Sequence, residues 1–171
     1  MTRHARLCIP LICLGLLAAP VAAPTTYVVR PDGTGDFPTI QAAISGSAAG
    51  DTIELTDGTF TGAGNRDVDF SGKAVEVRSQ SGTPFACVVD CAAGPGDPHR
   101  GFLFQSGEGS GSVLNGITIQ HAYAYAPGGG GILCDGASPT ITGCCMWPEW
   151  LLLGHRCWAC QIGAPSSGLN R

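Results

Sequence analysis

Short runs of alternating apolar and polar residues occupy most of the chain from Gly50 onward. The strands expected from them are TIEL (Thr52 to Leu55), AVEVRSQ (Ala74 to Gln80), CVVDC (Cys87 to Cys91), GFLFQ (Gly101 to Gln105), SVLNGITIQ (Ser112 to Gln120), GILC (Gly131 to Cys134) and PTITGC (Pro139 to Cys144). Each is rich in β-branched or aromatic residues and bounded by Gly, Pro, Asp or Ser, the pattern of a half-buried strand. The inward set reads as Ile53 and Leu55, Val75 and Val77, and Ile117 and Ile119. Before them, TYVVR (Thr26 to Arg30) predicts a strand and PDGTGD a turn. Phe37, Ile40, Ile44 and Ala48 then recur at helical spacing. Asp36 is the expected N-cap, Pro38 suits the first turn, and Gly46 or Gly50 ends the helix.

Two offsets hint at a repeat. LNGI (Leu114 to Ile117) matches ITGC (Ile141 to Cys144) 27 residues later, and Ile53-Glu54-Leu55 matches Val75-Glu76-Val77 22 residues later. Periods in the twenties with several short strands per period are the mark of a parallel β-solenoid. Residues 51–144 hold about four coils at that period. A short amphipathic helix ahead of the first coil is placed to cover its apolar end.

The N-terminus has its own pattern. Arg3, His4 and Arg6 precede the apolar stretch Leu7 to Leu17, and small residues lead to Val21-Ala22-Ala23. This is the layout of a secretory signal peptide, with cleavage expected near Pro24. The apolar run is short for a membrane span and is interrupted by Pro10. The expected organisation is therefore 1–23 signal peptide, 24–50 strand and capping helix, 51–144 coils, and 145–171 an atypical tail. Secretion or display at the cell surface follows, and no membrane span is expected in the mature chain.

Composition supports a turn-dense β protein. Gly and Pro total 38 of 171 residues (26 and 12), and only 13% are charged. Nine Lys and Arg face thirteen Asp and Glu; without Arg3 and Arg6, seven basic residues leave a mature net charge of −6. This balance argues against nucleic acid as a partner. An extracellular polysaccharide or the cell envelope fits the compartment better.

Residues 26–44 (TYVVRPDGTGDFPTIQAAI) resemble the opening of right-handed parallel β-helix proteins of the pectin-lyase-like superfamily. Residues 128–144 (GGGGILCDGASPTITGC) resemble the coil unit of bacterial secreted and surface β-helix proteins, polymorphic outer-membrane protein repeats among them. The resemblance covers Thr25 to Cys144. It implies an all-β fold, a right-handed parallel β-helix with a short N-terminal capping helix. It implies no single activity, because that fold carries lyases, hydrolases, esterases and non-catalytic adhesins. The DFIFG-like strand, the GRPW-like loop, the NTD, GHG and RIK motifs and the RxPxxR-like lyase motif of its enzymes are absent here. In such repeats a Phe and then Gly-Asn follow the Cys. Here Cys144 is followed by CMWPEWLLLGHRCWAC, with all three Trp. A truncated or frame-shifted gene end, a disordered tail and a genuine terminal cap are the alternatives.

The candidate chemistry is sparse. Glu54 and Glu76, expected to stack on neighbouring coils with Arg78 beside them, are the candidate catalytic residues. Stacked carboxylates could also hold Ca²⁺, the one cofactor considered. The alternative reading of these residues is a solvated surface pair. Asp67, Asp69, Asp90 and Asp135 are further acids near strands, and Arg100 and His121 are the best single basic candidates. Tyr123 and Tyr125 offer the aromatic stripe a glycan surface needs. Gly128 to Gly131 and the GEGSGS run (Gly107 to Ser112) read as turns rather than phosphate loops, since neither has a P-loop Lys. Cys87 and Cys91 lie about 13 Å apart along one strand, too far for a disulfide, and are expected to pack inward. Cys134 and Cys144 are expected in the core. Cys157 to Cys160 is a CxxC without a second ligand pair or a βαβ context. A non-catalytic scaffold or glycan-binding surface is the expected function. A pectate lyase-, polygalacturonase- or pectinesterase-like enzyme and a non-functional gene fragment are the alternatives.

Overall fold

The computed structural model describes residues 23–125, 130–147 and 157–158. The protein is predominantly β, and its strands form three sheets. The first holds β1 (Thr26–Val29), β2 (Thr52–Leu55), β5 (Glu76–Ser79), β8 (Val113–Asn115) and β11 (Thr140–Thr142) in that spatial order. The second runs from β3 (Gly58–Thr61) through β6 (Cys87–Asp90) and β9 (Thr118–Gln120) to β12 (Cys144–Trp147) and β13 (Cys157–Trp158). The third holds β4 (Val68–Asp69), β7 (Phe102–Phe104) and β10 (Ile132–Cys134). Every neighbouring pair is parallel except β12 with β13. From β2 onward the chain visits first, second and third sheet in turn and then begins again. Each circuit lays its strands about 4.8 Å from those of the one before.

The circuits differ in length. Thr52 lies opposite Glu76, 24 residues on; Glu76 opposite Val113, 37 on; and Val113 opposite Thr140, 27 on. Part of the difference sits between the second and third sheets. That connection has six residues (62–67) in the first circuit and eleven in each of the next two (91–101 and 121–131).

Alternation places the core as expected. Ile53, Leu55, Val75, Val77, Ile117 and Ile119 are all buried. Phe60, Phe70, Phe102 and Phe104 are fully buried, and Phe70 stacks on Phe104 with ring centroids 4.4 Å apart. Cys87, Cys91 and Cys144 are buried free thiols, and Cys134 packs partly buried against the same core. Cys145, in contrast, is half of a disulfide.

Three local features depart from the sequence reading. SVLNGITIQ is two strands, not one. Gly116 sits at the corner between β8 and β9 with φ 69°, and Gly143 takes the same role between β11 and β12 with φ 61°. A left-handed residue lets the chain turn from one sheet to the next, and glycine does so without a Cβ penalty. Strands β3 and β4 went unread because GTFT and VD are brief. The parallel ladder also passes the expected boundary at Cys144, since β12 pairs with β9 through Trp147.

The helix, α1 (Ile40–Gly46), is shorter than its apolar spacing implies, and Thr39 rather than Asp36 is its N-cap. Thr39 Oγ1 accepts from Ala42 N at 3.2 Å. Asp36 serves β1 instead: its carboxylate accepts from Val28 N and its own N–H donates to Val28 O, both at 2.7 Å. Gly35 permits this approach, because a Cβ there would stand 2.3 Å from Val28 O. Ile40, Ala43 and Ile44 are buried, and α1 packs against β1, β2 and β4. The Gln41 amide pairs with both backbone groups of Asp69, at 2.8 and 3.0 Å. It thereby covers polar groups on the open side of β4, an edge that would otherwise invite pairing with another chain. Lys73, the only Lys in the sequence, donates to the Ile44, Ser45 and Ser47 carbonyls at 2.7, 2.7 and 2.9 Å. These are carbonyls that a helix C-terminus leaves without intrahelical partners.

Candidate functional site

The lengthened connections bring polar and aromatic side chains together. Asp67 ends the first connection, Pro98, His99 and Arg100 lie in the second, and Tyr123, Ala124 and Tyr125 lie in the third. They line one open cleft of about 210 Å³. Backbone pairing fixes the stack. Asp67 N donates to Arg100 O at 2.6 Å, and Tyr123 N to His99 O at 2.9 Å.

Asp67 is the hub. Its Oδ1 accepts from Arg100 N at 2.7 Å, and its Oδ2 lies 2.5 Å from His99 Nδ1. On the far edge of the ring, His99 Nε2 lies 3.1 Å from Asp97 Oδ1. The imidazole is thus held between two carboxylates and is largely buried, while Asp97 is exposed and also faces Arg66 at 3.8 Å. Tyr123 and Tyr125 meet edge to face, ring centroids 5.4 Å apart and planes at 88°. Tyr125 remains 59% exposed, and its hydroxyl is tied to the Pro95 carbonyl. An apolar ring face beside fixed hydrogen-bonding groups is the make-up of a small-molecule site.

Asp67, Arg100, Tyr123 and Tyr125 were each visible as separate sequence candidates, and the structure unites them. His99 and Asp97 were not. They lie in GPGDPHRG, which reads as a linker, and the only available signal was the length of that linker.

Asp90 and His121 form a second pair in the neighbouring loops. Asp90 Oδ1 faces His121 Nδ1 at 2.9 Å, and Gln120 Nε2 donates to Asp90 Oδ2 at 3.0 Å. Burial raises the Asp90 pKa, but the Gln120 amide, the His121 ring and the Ala92 N–H outweigh it and leave the carboxyl below its ordinary value. Asp69 staples a turn, accepting from Ser71 N and Gln105 Nε2. Asp135 is exposed on the loop after β10.

Glu54, Glu76 and Arg78 lie together on the first sheet, with a register unlike the expected one. Glu54 stands opposite Arg78, and Glu76 opposite Thr52. The 22-residue alignment was therefore two residues short. A two-residue slip leaves every side chain on its own face, so the apolar pattern cannot detect it. Charge can. Arg78 reaches Glu54 at 2.7 Å and Glu76 at 3.6 Å, and Gln80 also donates to Glu54. The Arg78 hydrogen bond holds the Glu54 carboxyl below its ordinary pKa, and Glu54 raises that of Arg78. The Arg78 guanidinium thus contacts both of the carboxylates considered for Ca²⁺. Among the described residues, no group of three or more His, Cys, Asp or Glu is arranged to hold a metal ion.

The Gly-rich runs are turns where they are described. Gly131 accepts from Gly101 N and Phe102 N as it leads into β10, while Gly128 and Gly129 lie outside the described residues. In GEGSGS, Glu108 is 2% exposed and accepts from Gly72 N at 2.8 Å and Ser106 N at 2.9 Å. It clamps two circuits, a role its sequence setting did not disclose. Residues 1–22, nearly all of the stretch expected to be a signal peptide (1–23), the Cys160 end of the CxxC and most of the tail also lie outside the described residues. No helix among the described residues is long and apolar enough to cross a membrane. Comparison with protein-family models, curated proteins and solved structures finds no match to this chain.

Proposed function

We propose that the protein is a secreted or surface-displayed right-handed parallel β-helix module of pectin-lyase-like type, and that it binds glycan in the Asp67–His99–Tyr125 cleft. The cyclic order of sheet visits and the parallel pairing support the helix. The N-terminal pattern supports export. One observation carries the functional reading: an exposed tyrosine, Tyr125, packed on the half-buried Tyr123, stands beside a hydrogen-bonded Asp, His and Arg on three stacked loops. Aromatic faces stack on the C–H faces of sugars, and fixed polar groups orient the hydroxyls. The test is a glycan panel probed with the purified secreted protein. Binding to at least one glycan is expected, with loss in Tyr125→Ala. Uniform absence of binding by folded protein would refute the reading.

His99 supports a second reading, a polysaccharide-active enzyme: Asp67 orients its imidazole, and the ring becomes available for acid–base chemistry once a substrate displaces the exposed Asp97 from Nε2. Release of reducing ends, unsaturated products or methanol from pectin or pectate, with and without Ca²⁺, decides it. We expect none. Turnover lost in His99→Ala would make the protein an enzyme acting in this cleft, and turnover lost in Glu76→Ala or Arg78→Ala would move the chemistry to the first sheet.

A further inference from the structure

We infer that the cleft takes one neutral sugar unit presenting adjacent hydroxyls, and that it discriminates against uronates. The inference rests on the glycan-binding reading above. The cleft, at about 210 Å³, is smaller than sites for drug-sized ligands, which start near 300 Å³. It therefore accommodates a single ring, offered as a chain end or side branch.

Asp67 determines the chemistry of the polar wall. Among the described residues each of its oxygens has one partner, Arg100 N on Oδ1 and His99 Nδ1 on Oδ2, and its side chain is 39% exposed. A carboxylate oxygen has a second lone pair. Asp67 thus offers two acceptors on a group already fixed in orientation, which suits two neighbouring hydroxyl donors. In the same cleft, Tyr125 is held by the Pro95 carbonyl and by its edge-to-face packing with Tyr123. The aromatic wall is therefore ordered before a ligand arrives, which reduces the entropy lost on binding.

The same wall disfavours an anionic sugar. Asp67 and Asp97 flank His99, so the imidazole is already engaged by carboxylates on both edges. Arg100 is the one Lys or Arg side chain among the lining residues. A uronate carboxylate would bring a third negative charge beside Asp67 and Asp97, and like charges brought together across an interface are costly. The chain as a whole, with thirteen acidic against nine basic residues, adds long-range repulsion of a polyanion.

The test is titration calorimetry on the full secreted chain at about 0.15 M NaCl. The probes are neutral gluco-, manno- and galacto-oligosaccharides and galacturonate oligomers of matched length. We expect at least one neutral series to bind, with galacturonate weaker by about tenfold or more. Asp67→Asn should weaken the neutral ligand by about tenfold, and Tyr125→Ala, an exposed position, should abolish binding without unfolding the protein. Galacturonate binding as tight as neutral, and lost in Tyr125→Ala, would overturn the specificity while leaving the glycan reading intact. Neutral binding unaffected by both substitutions would place the ligand outside the cleft, overturning this inference and the cleft assignment while leaving glycan binding itself intact. No binding by either probe class to folded protein would overturn both.

Discussion

Replacing Lys73 by Met removes the ammonium and keeps most of the stem. Its three acceptors are Ile44 O, Ser45 O and Ser47 O. The Ser45 contact is exposed and water can replace it, whereas the other two are partly buried. A hydrogen bond from a charged donor contributes about 1.5 kcal/mol at the low end, so the two partly buried carbonyls account for roughly 3 kcal/mol. The cation at the helix C-terminus adds about 0.5 kcal/mol, and releasing an ordered lysine returns about 1.5 kcal/mol. The net expected loss is about 2 kcal/mol, a fall in Tm of about 4–8 °C for a domain of this size. Urea denaturation gives the global value, and hydrogen exchange locates the loss if α1 amides open first. Because Lys73 is the only Lys, an amine-selective reagent read by peptide mapping, which separates Lys73 from the α-amino group, also reports on it and should label it slowly until the protein unfolds. A Met variant within about 0.5 kcal/mol of the parent, or labelling at the rate of a free amine, would show that Lys73 does not hold the helix.

Glu108→Ala strands two backbone N–H groups, Gly72 and Ser106, and should cost about 2–4 kcal/mol in urea denaturation; a cost under about 0.5 kcal/mol would mean water replaces the carboxylate. Gly35→Ala puts a Cβ 2.3 Å from Val28 O and should lower stability by about 2 kcal/mol, which a thermal melt checks. Burial pushes the Cys87 and Cys91 thiols up to about 12, so maleimide at about pH 7 should leave both unmodified in folded protein and label both in denaturant. The Glu54 and Asp90 carboxyls are held below their ordinary values of 4.5 and 3.8. Their stabilisation is therefore present above those values and is lost as pH falls through the lower folded ones. Melting temperature should drop on acidification below about pH 4, and the drop should be shallower in Glu54→Gln and Asp90→Asn; an unchanged slope in both would refute the link.

Much of the fold was legible because alternation is a local property. The inward residues Ile53, Leu55, Val75, Val77, Ile117 and Ile119 could be assigned from their immediate neighbours, and burial agrees. The LNGI and ITGC match at 27 residues also holds, since Leu114 pairs with Ile141. It marks two glycine corners that repeat because the same turn is made twice. Register was not legible to the same degree. Glu54 could sit opposite Glu76 or Arg78 with identical apolar burial, and only the assembled sheet shows the ion pair that separates the two. The helix cap was misread for a similar reason: Asp36 and Thr39 are both competent, and the return of the chain onto Val28 takes Asp36 for β1. The cleft was least legible of all. Asp67, His99 and Tyr125 are separated along the chain by lengths with no periodic meaning. They meet because three loops, one of six residues and two of eleven, leave the second sheet at the same corner of successive circuits. The local pattern thus determined which residues turn inward, while the stacking of circuits decided which polar residues meet outside.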